Sequence, residues 1–318
     1  LPAPLWSRGL GDVYKRQVRG GTKSLTTNSN DQESTHGGRS MTFYPGGVRW
    51  NSDSGNCNAN GENYVLWCWK YGGAAVSNTN GNITSSVSVN DEAGFSIVSY
   101  TGNGSNGQTI GHGLTQAPQW IMLKARDATQ NWRVWHHSLA SDGSKRLLLD
   151  ATNASEDASF LNDTAPTSTV FTLGNADDAW NANSAKFIAY CWHEVPGFSK
   201  FGSYTGTGLS DGPYVYLGFR PAWIMWKASS SGGSNSYQWM ILDSTRETDN
   251  SMFQRLMPNN SDAETTDTGT TAYVDFVSNG FKIRGTGSLI NNSGVTYIYM
   301  AFAEEPGTTP FDTFPNAR

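Results

Sequence analysis

Three glutamates recur along the chain: Glu33, Glu156 and Glu264 each follow a leucine by eight residues, after Leu25, Leu148 and Leu256. A recurrent carboxylate could serve as a general acid or base, or hold a sugar hydroxyl or a cation. Glycoside hydrolysis needs two carboxyl groups at a set separation, and no second acidic residue recurs beside this one in all three places. The glutamates are therefore expected to be structural, accepting backbone N–H groups in a turn or pairing with a basic side chain.

The other chemistry-bearing residues point the same way. His136 and His137 are adjacent, with His112 and His193 nearby in sequence. Neighbours on a strand face opposite ways and cannot both ligate one ion. Asp243 and Ser244 stand at their places in a second copy of the pattern. The imidazoles are expected to lie at the surface or be hydrogen-bonded within the fold. Cys57, Cys68 and Cys191 form no metal-ligand spacing and no paired framework. Cys68 and Cys191 sit alike in YVLWCWK (64–70) and FIAYCWH (187–193), aromatic-rich runs that each suit a buried strand, and read as small apolar residues. The Asn/Gly loops at 103–107 and 211–212 lack the alternating acidic ligands of a calcium loop. GNGSNG lacks the strand-to-helix context of a dinucleotide site, and no G-x-S-x-G elbow is present. No catalytic residue, metal or cofactor is predicted, and the chain is read as a non-enzyme.

Binding chemistry is more promising, because twelve tryptophans are a heavy load for 318 residues. Trp120, Trp132, Trp223 and Trp239 recur between copies and are assigned to the core. Trp135, Trp180, Trp192 and Trp226 are less symmetric. Trp135 and Trp180 lie near the segments that vary most between copies, and are the candidate glycan-contacting residues, since an exposed indole stacks on a sugar ring.

The elements that position these residues follow from an internal repeat. Tyr100-Thr101-Gly102 returns as Tyr204-Thr205-Gly206, and Trp120-Ile121-Met122 as Trp223-Ile224-Met225, at offsets of 104 and 103 residues. Each copy reads as strand, glycine turn, strand, proline, strand. In the first complete copy the predicted strands are 95–100, 108–110, 119–124, 132–136, 146–149, 170–173 and 187–193, separated by Asn-Gly, Asp-Gly and Gly-Asn turns. The predicted fold is all-β, with tandem antiparallel sandwiches resembling jelly rolls. Residues 95–197 and 198–308 are the two complete repeats. Residues 18–73 are read as the C-terminal half of a truncated one, 74–94 as a linker with a short strand around 83–89, and 309–318 as a tail. Residues 7–17, SRGLGDVYKRQ, can be read codon by codon from a transposase-type sequencing adapter, so 1–17 are expected to be adapter-derived and disordered, with the true N-terminus missing.

Composition narrows the partners. Only 15% of residues are charged and the net charge is −5, which opposes a phosphate-tracking nucleic-acid binder. No apolar run reaches the length of a membrane span.

The phrases AGFSIVSYTGNG, GHGLTQAPQWIMLK, WHEVPGFSKFGSYTGTG and DGPYVYLGFRPAWIMWK, together with VSNGFKIR and YIYMAFAEEP, resemble a family of repeat domains in marine bacteriophage structural proteins, described as tail or tail-fibre components. The resemblance covers residues 18–307 and supplies no functional residues. It implies a virion protein, assembled in the host cytoplasm and extracellular as a free particle. Its expected partners are other virion proteins, further copies of itself and host-surface polysaccharide. The competing readings are a carbohydrate-binding module of a secreted bacterial protein and a tailspike-type glycan hydrolase.

Overall fold

The computed structural model describes residues 19, 21–35, 41–44, 47–50, 59–70, 72–175, 177, 179–230, 237–266 and 272–304. Segments 1–17 and 309–318 lie outside them. The chain divides into two compact units. Unit 1 comprises Leu1–Ala151, Glu156–His193 and Pro258–Ser261, and unit 2 comprises Thr152–Ser155, Glu194–Met257 and Asp262–Arg318.

In unit 1, short hairpins come first: β1 (Lys23–Ser24) pairs with β2 (Ser34–Thr35), and β3 (Met41–Tyr44) with β4 (Gly47–Trp50). There follow β5 (Val76–Asn78), β6 (Ser85–Asn90), β7 (Phe95–Thr101), β8 (Thr109–Gly111), β9 (Trp120–Ala125), β10 (Arg133–His136), β11 (Lys145–Leu148), β12 (Glu156–Asp157), β13 (Val170–Thr172) and β14 (Lys186–Trp192). An antiparallel sheet runs in the order β12-β11-β10-β9-β14-β7-β6-β5, and β13 pairs with β8 separately. All seven strands predicted for residues 95–193 are present within a residue or two of their expected ends. Unit 2 holds β15 (Ser199–Thr205), β16 (Tyr214–Tyr216), β17 (Pro221–Ala228), β18 (Met240–Asp243), β19 (Gln254–Arg255), β20 (Thr265–Thr266), β21 (Val274–Val277), β22 (Gly280–Ile283) and β23 (Thr296–Ala303). A four-residue helix, α1 (Ser288–Asn291), precedes β23. Its sheets run β15-β23-β17-β18 and β16-β22-β21.

The fold is all-β and antiparallel, and one pairing scheme serves both units. β14 lies between β7 and β9 as β23 lies between β15 and β17, with β10 and β18 as the next strands out. Phe171 is opposite Ile110 on the smaller pair, and Phe281 is opposite Val215. Tyr100 Oη donates to Trp180 O and Tyr204 Oη to Ile290 O, both at 2.7 Å. Sheet faces pack together in each core. In unit 1, Val98, Ile121, Leu123 and Ala189 meet Ile110 and Phe171. In unit 2, Ile224, Trp226 and Leu242 meet Val215, Phe276 and Phe281.

Two expectations need correction. Residues 74–94 are not a linker, because β5 and β6 extend the large sheet beyond β7. Their serines are small enough to be buried between valines: Ser85 and Ser88 are nearly inaccessible, as is Val87. Ser85 Oγ donates to Gly111 O at 2.7 Å, so the hydroxyl is satisfied inside. The aromatic run YVLWCWK at 64–70 was expected to be a strand and lies outside any strand. Its counterpart β14 is paired on both sides, by β7 and β9.

A buried lysine recurs on the central strands. Lys124 on β9 donates to Asn30 O and Ala125 O, at 3.3 and 2.9 Å. Lys227 on β17 donates to Thr152 O, Asn153 O and Tyr237 O, at 3.0, 2.9 and 2.8 Å. Asn30 and Asn153 lie the same five residues beyond Leu25 and Leu148. In both units the ammonium therefore pins the same point of a crossing segment.

Candidate functional site

The recurrent glutamates are ion-paired. Glu33 takes Arg126 with both oxygens, at 3.0 Å each, and Arg19 at 2.8 Å. Burial pushes its carboxyl up, but the two guanidiniums outweigh that and hold it below the ordinary glutamate value. Glu156 pairs with Arg146 at 3.1 Å, and Glu264 with Arg246, which also reaches Asp243 at 2.6 Å. In all three places an arginine supplies the expected basic partner.

The two candidate tryptophans are not available to a sugar. Trp135 and Trp180 are each 3% exposed. Trp180 Nε1 donates to Asn175 O at 2.9 Å, and the guanidiniums of Arg146 and Arg133 stand over its ring at 5.3 and 5.9 Å. Adjacent variable loops do not expose these indoles, because both belong to the core of unit 1. Trp192 and Trp226 are buried as well, as are the recurrent Trp120, Trp132, Trp223 and Trp239.

Among the described residues no group of three His, Cys, Asp or Glu could hold a metal ion. His136 ends β10 fully buried, and its Nδ1 accepts from Ser138 N at 2.9 Å. Cys191 is buried and Cys68 exposed; burial pushes the Cys191 thiol far up, as befits an inert core residue. His112 is fully buried; its Nε2 bonds Thr167 O at 3.1 Å and its Nδ1 accepts from Leu114 N at 3.2 Å. Burial lowers it to about 4. An unfolded chain therefore binds that proton first as pH falls. The stability His112 contributes is complete above pH ~6.5 and lost as pH drops toward 4, on the order of 2–3 kcal/mol between pH 7.5 and 4.5. His112→Gln should flatten urea-unfolding free energy over that interval; an unchanged slope would remove His112 from the acid response.

A different surface stands out. Among the described residues the exposed large hydrophobics are Val76, Leu209, Tyr214 and Tyr216, and three of the four fall within eight residues of unit 2. Tyr214 and Tyr216 are at alternate positions of β16, so both rings stand on one sheet face about 7 Å apart along the strand. Both are held in place. Tyr214 Oη donates to Asn279 Oδ1 at 2.6 Å. Tyr216 lies beneath Lys200 Nζ, 5.7 Å from its ring centroid, and folds over Gly218, where a Cβ would come 3.6 Å from the phenol oxygen. Lys282, directly opposite Tyr214 on β22, meets Asp211 at 2.6 Å. Arg284 meets Asp275 at 2.6 Å.

Unit 1 shows what this face becomes when covered. Thr109 and Gly111 occupy the places of Tyr214 and Tyr216 in the pairing with the partner strand. There Ile83 bridges to Ile110, Ser85 reaches Gly111, and a Cβ at Gly111 would lie 2.1 Å from Asn78 Oδ1. Among the described residues of unit 2 the order β15-β23-β17-β18 ends at β15 with no counterpart of β5 and β6. Its outer edge is blunted instead by Glu194, whose carboxylate accepts from Phe201 N at 2.9 Å. Two tyrosines thus stand exposed where the sister unit has a close-packed cover. Sequence reasoning missed them, although the alternation in Tyr-Val-Tyr is itself a face pattern.

Compared with known proteins, residues 10–306 match a family model described as a domain of unknown function, DUF7483, a span that takes in part of the adapter-like stretch. No curated protein and no solved structure matches.

Proposed function

The chain belongs to the DUF7483 family, and from that premise we propose that it is a non-enzymatic phage virion protein, part of a tail fibre or other tail appendage, which touches host-surface polysaccharide through the Tyr214–Tyr216 face of unit 2. The observation that carries the contact is this rigid, exposed pair of rings on one sheet face. An aromatic ring with a polar rim stacks on the apolar face of a sugar while its neighbours bond the hydroxyls. Asn279, Lys282 and Asp211 are the neighbours here. The non-enzymatic reading is supported by the recurrent glutamates, which are engaged with arginine rather than facing each other as an acid pair. The virion assignment rests on the sequence resemblance, and repeated β-units with few charges suit an extended appendage.

An antibody raised against the chain should decorate tail structures of particles produced from its parent genome, as seen by immunogold electron microscopy. Labelling confined to cell debris or culture medium would favour the secreted-module reading. Release of reducing sugar from host polysaccharide by the purified chain would overturn the non-enzymatic one.

A further inference from the structure

Resting on the glycan-contact reading, we infer that the Tyr214–Tyr216 face selects acidic polysaccharide, a chain bearing carboxylated sugars, with Lys200 as the group that engages the carboxylate. Three cations border the face, Lys200, Lys282 and Arg284, against two carboxylates, Asp211 and Asp275. Lys282 and Arg284 are each committed to a carboxylate, at 2.6 Å in both cases. Lys200 has no ion-pair partner among the described residues; its ammonium stands over the Tyr216 ring. This local excess of positive charge lies on a chain whose net charge is −5, so it is a feature of the face rather than of the molecule.

The sister unit argues that the set belongs together. In the shared pairing scheme Lys200 takes the place of Ser96, Lys282 that of Thr172 and Arg284 that of Gly174. Tyr214 and Tyr216 take those of Thr109 and Gly111. Five small or neutral residues around one surface of unit 1 thus become two aromatics and three cations in unit 2. A merely solvated surface would gain charges without exposed rings; a subunit interface core would lose its charges. Rings bordered by cations fit a ligand with apolar sugar faces and anionic substituents. A pyranose stacked on Tyr216 would displace the Lys200 ammonium from over the ring to its edge, where it would meet an equatorial carboxylate of the sugar.

The test is affinity electrophoresis and calorimetry of the full chain with polygalacturonate and, as the neutral probe, an uncharged β-glucan. Polygalacturonate should bind at least tenfold more tightly, and the difference should collapse between 50 and 500 mM NaCl. Lys200→Gln should remove about tenfold of the polygalacturonate affinity and leave glucan binding alone. Tyr216→Ala should weaken both. Tyr216 is exposed and Lys200 half-buried, so circular dichroism and the melting temperature should not change in either variant. Equal binding of the two polymers by wild type would overturn the acidic selectivity and leave the glycan contact standing. Binding of neither would overturn both. Loss of a dimer in Tyr216→Ala, seen by sedimentation and without any glycan binding, would make the face a subunit interface and overturn the inference.

Discussion

Lys227→Met is expected to lower the stability of unit 2 by on the order of 3–5 kcal/mol, the largest effect of any single substitution considered. The ammonium is fully buried on β17, and its three protons match three main-chain carbonyls at 2.8–3.0 Å. Methionine fills the space but donates nothing, leaving the buried carbonyl of Tyr237 and the part-buried carbonyls of Thr152 and Asn153 without this donor, each costing about 1–3 kcal/mol when unpaired inside. Lys186 is exposed on the neighbouring unit, and Lys186→Met should stay within about 0.5 kcal/mol of wild type. The pH dependence carries a sign. Burial lowers Lys227 to about 7 from an ordinary 10.5, so above that value the folded amine keeps two N–H donors for its three carbonyls, and between the two values the unfolded chain holds more protons than the folded one. Wild-type stability therefore rises from pH 7 to 9.5, and the gap to Lys227→Met should widen over that interval. Urea titration followed by hydrogen-exchange mass spectrometry of peptides covering 214–228 and 296–303 would measure both. A gap below 1 kcal/mol at both pH values would mean that the carbonyls find other donors.

Asn291→Ala should cost about 2–4 kcal/mol and disturb the ligand face as well. Asn291 ends α1 fully buried. Its Nδ2 donates to Leu209 O at 2.7 Å and Gly285 O at 2.9 Å, and its Oδ1 accepts from Thr207 N at 2.7 Å. The loop leading into β16 is thus held by one side chain at two points. Asn181 does the same for unit 1, reaching Ser105 O at 2.6 Å and accepting from Asn103 N at 3.1 Å. Asn181→Ala should destabilise its own unit comparably while leaving glycan affinity unchanged. If both alanine variants weakened glycan binding equally at a temperature where each is folded, the loop would not be what positions Tyr214 and Tyr216.

Much of the fold was legible because the strands carry their own signals. Phe95–Thr101 and Lys186–Trp192 are bounded by glycine or polar turns, and the turn glycines Gly104 and Gly143 have φ of 71° and 80°, which side-chain-bearing residues rarely adopt. The strands at 76–90 were legible only as a short one around 83–89, because serine does what a larger residue does elsewhere. Ser85 and Ser88 are buried through their small size and a single hydroxyl bond each, and composition alone reads them as linker. The tryptophans misled for a related reason. An indole is large and carries one polar atom, so it serves a core or a surface equally well, and Trp180 satisfies its N–H internally at Asn175. The arginine partners of the three glutamates follow no common spacing: Arg126 lies far downstream of Glu33, whereas Arg146 and Arg246 precede their glutamates. The lysine pins did leave a trace, a lone cation closing each apolar run in Ile-Met-Leu-Lys and Ile-Met-Trp-Lys. The ligand face could have been found by asking where one copy is consistently bulkier than the other.

The assignment of Pro258–Ser261 to unit 1, and of Thr152–Ser155 to unit 2, has a consequence for synthesis on the ribosome. A unit whose residues were contiguous could close as soon as its last strand emerged. Here every strand of the large sheet is made by Trp192, and the four residues Pro258–Ser261 join the unit only after Ser261 has left the exit tunnel. At about 5–20 residues per second that is a delay of several seconds, during which most of unit 2 is also being extruded. Neither unit can be cut from the gene as one uninterrupted reading frame and keep all its residues. The pair is expected to be inherited, expressed and folded as a single genetic object despite its duplicated plan.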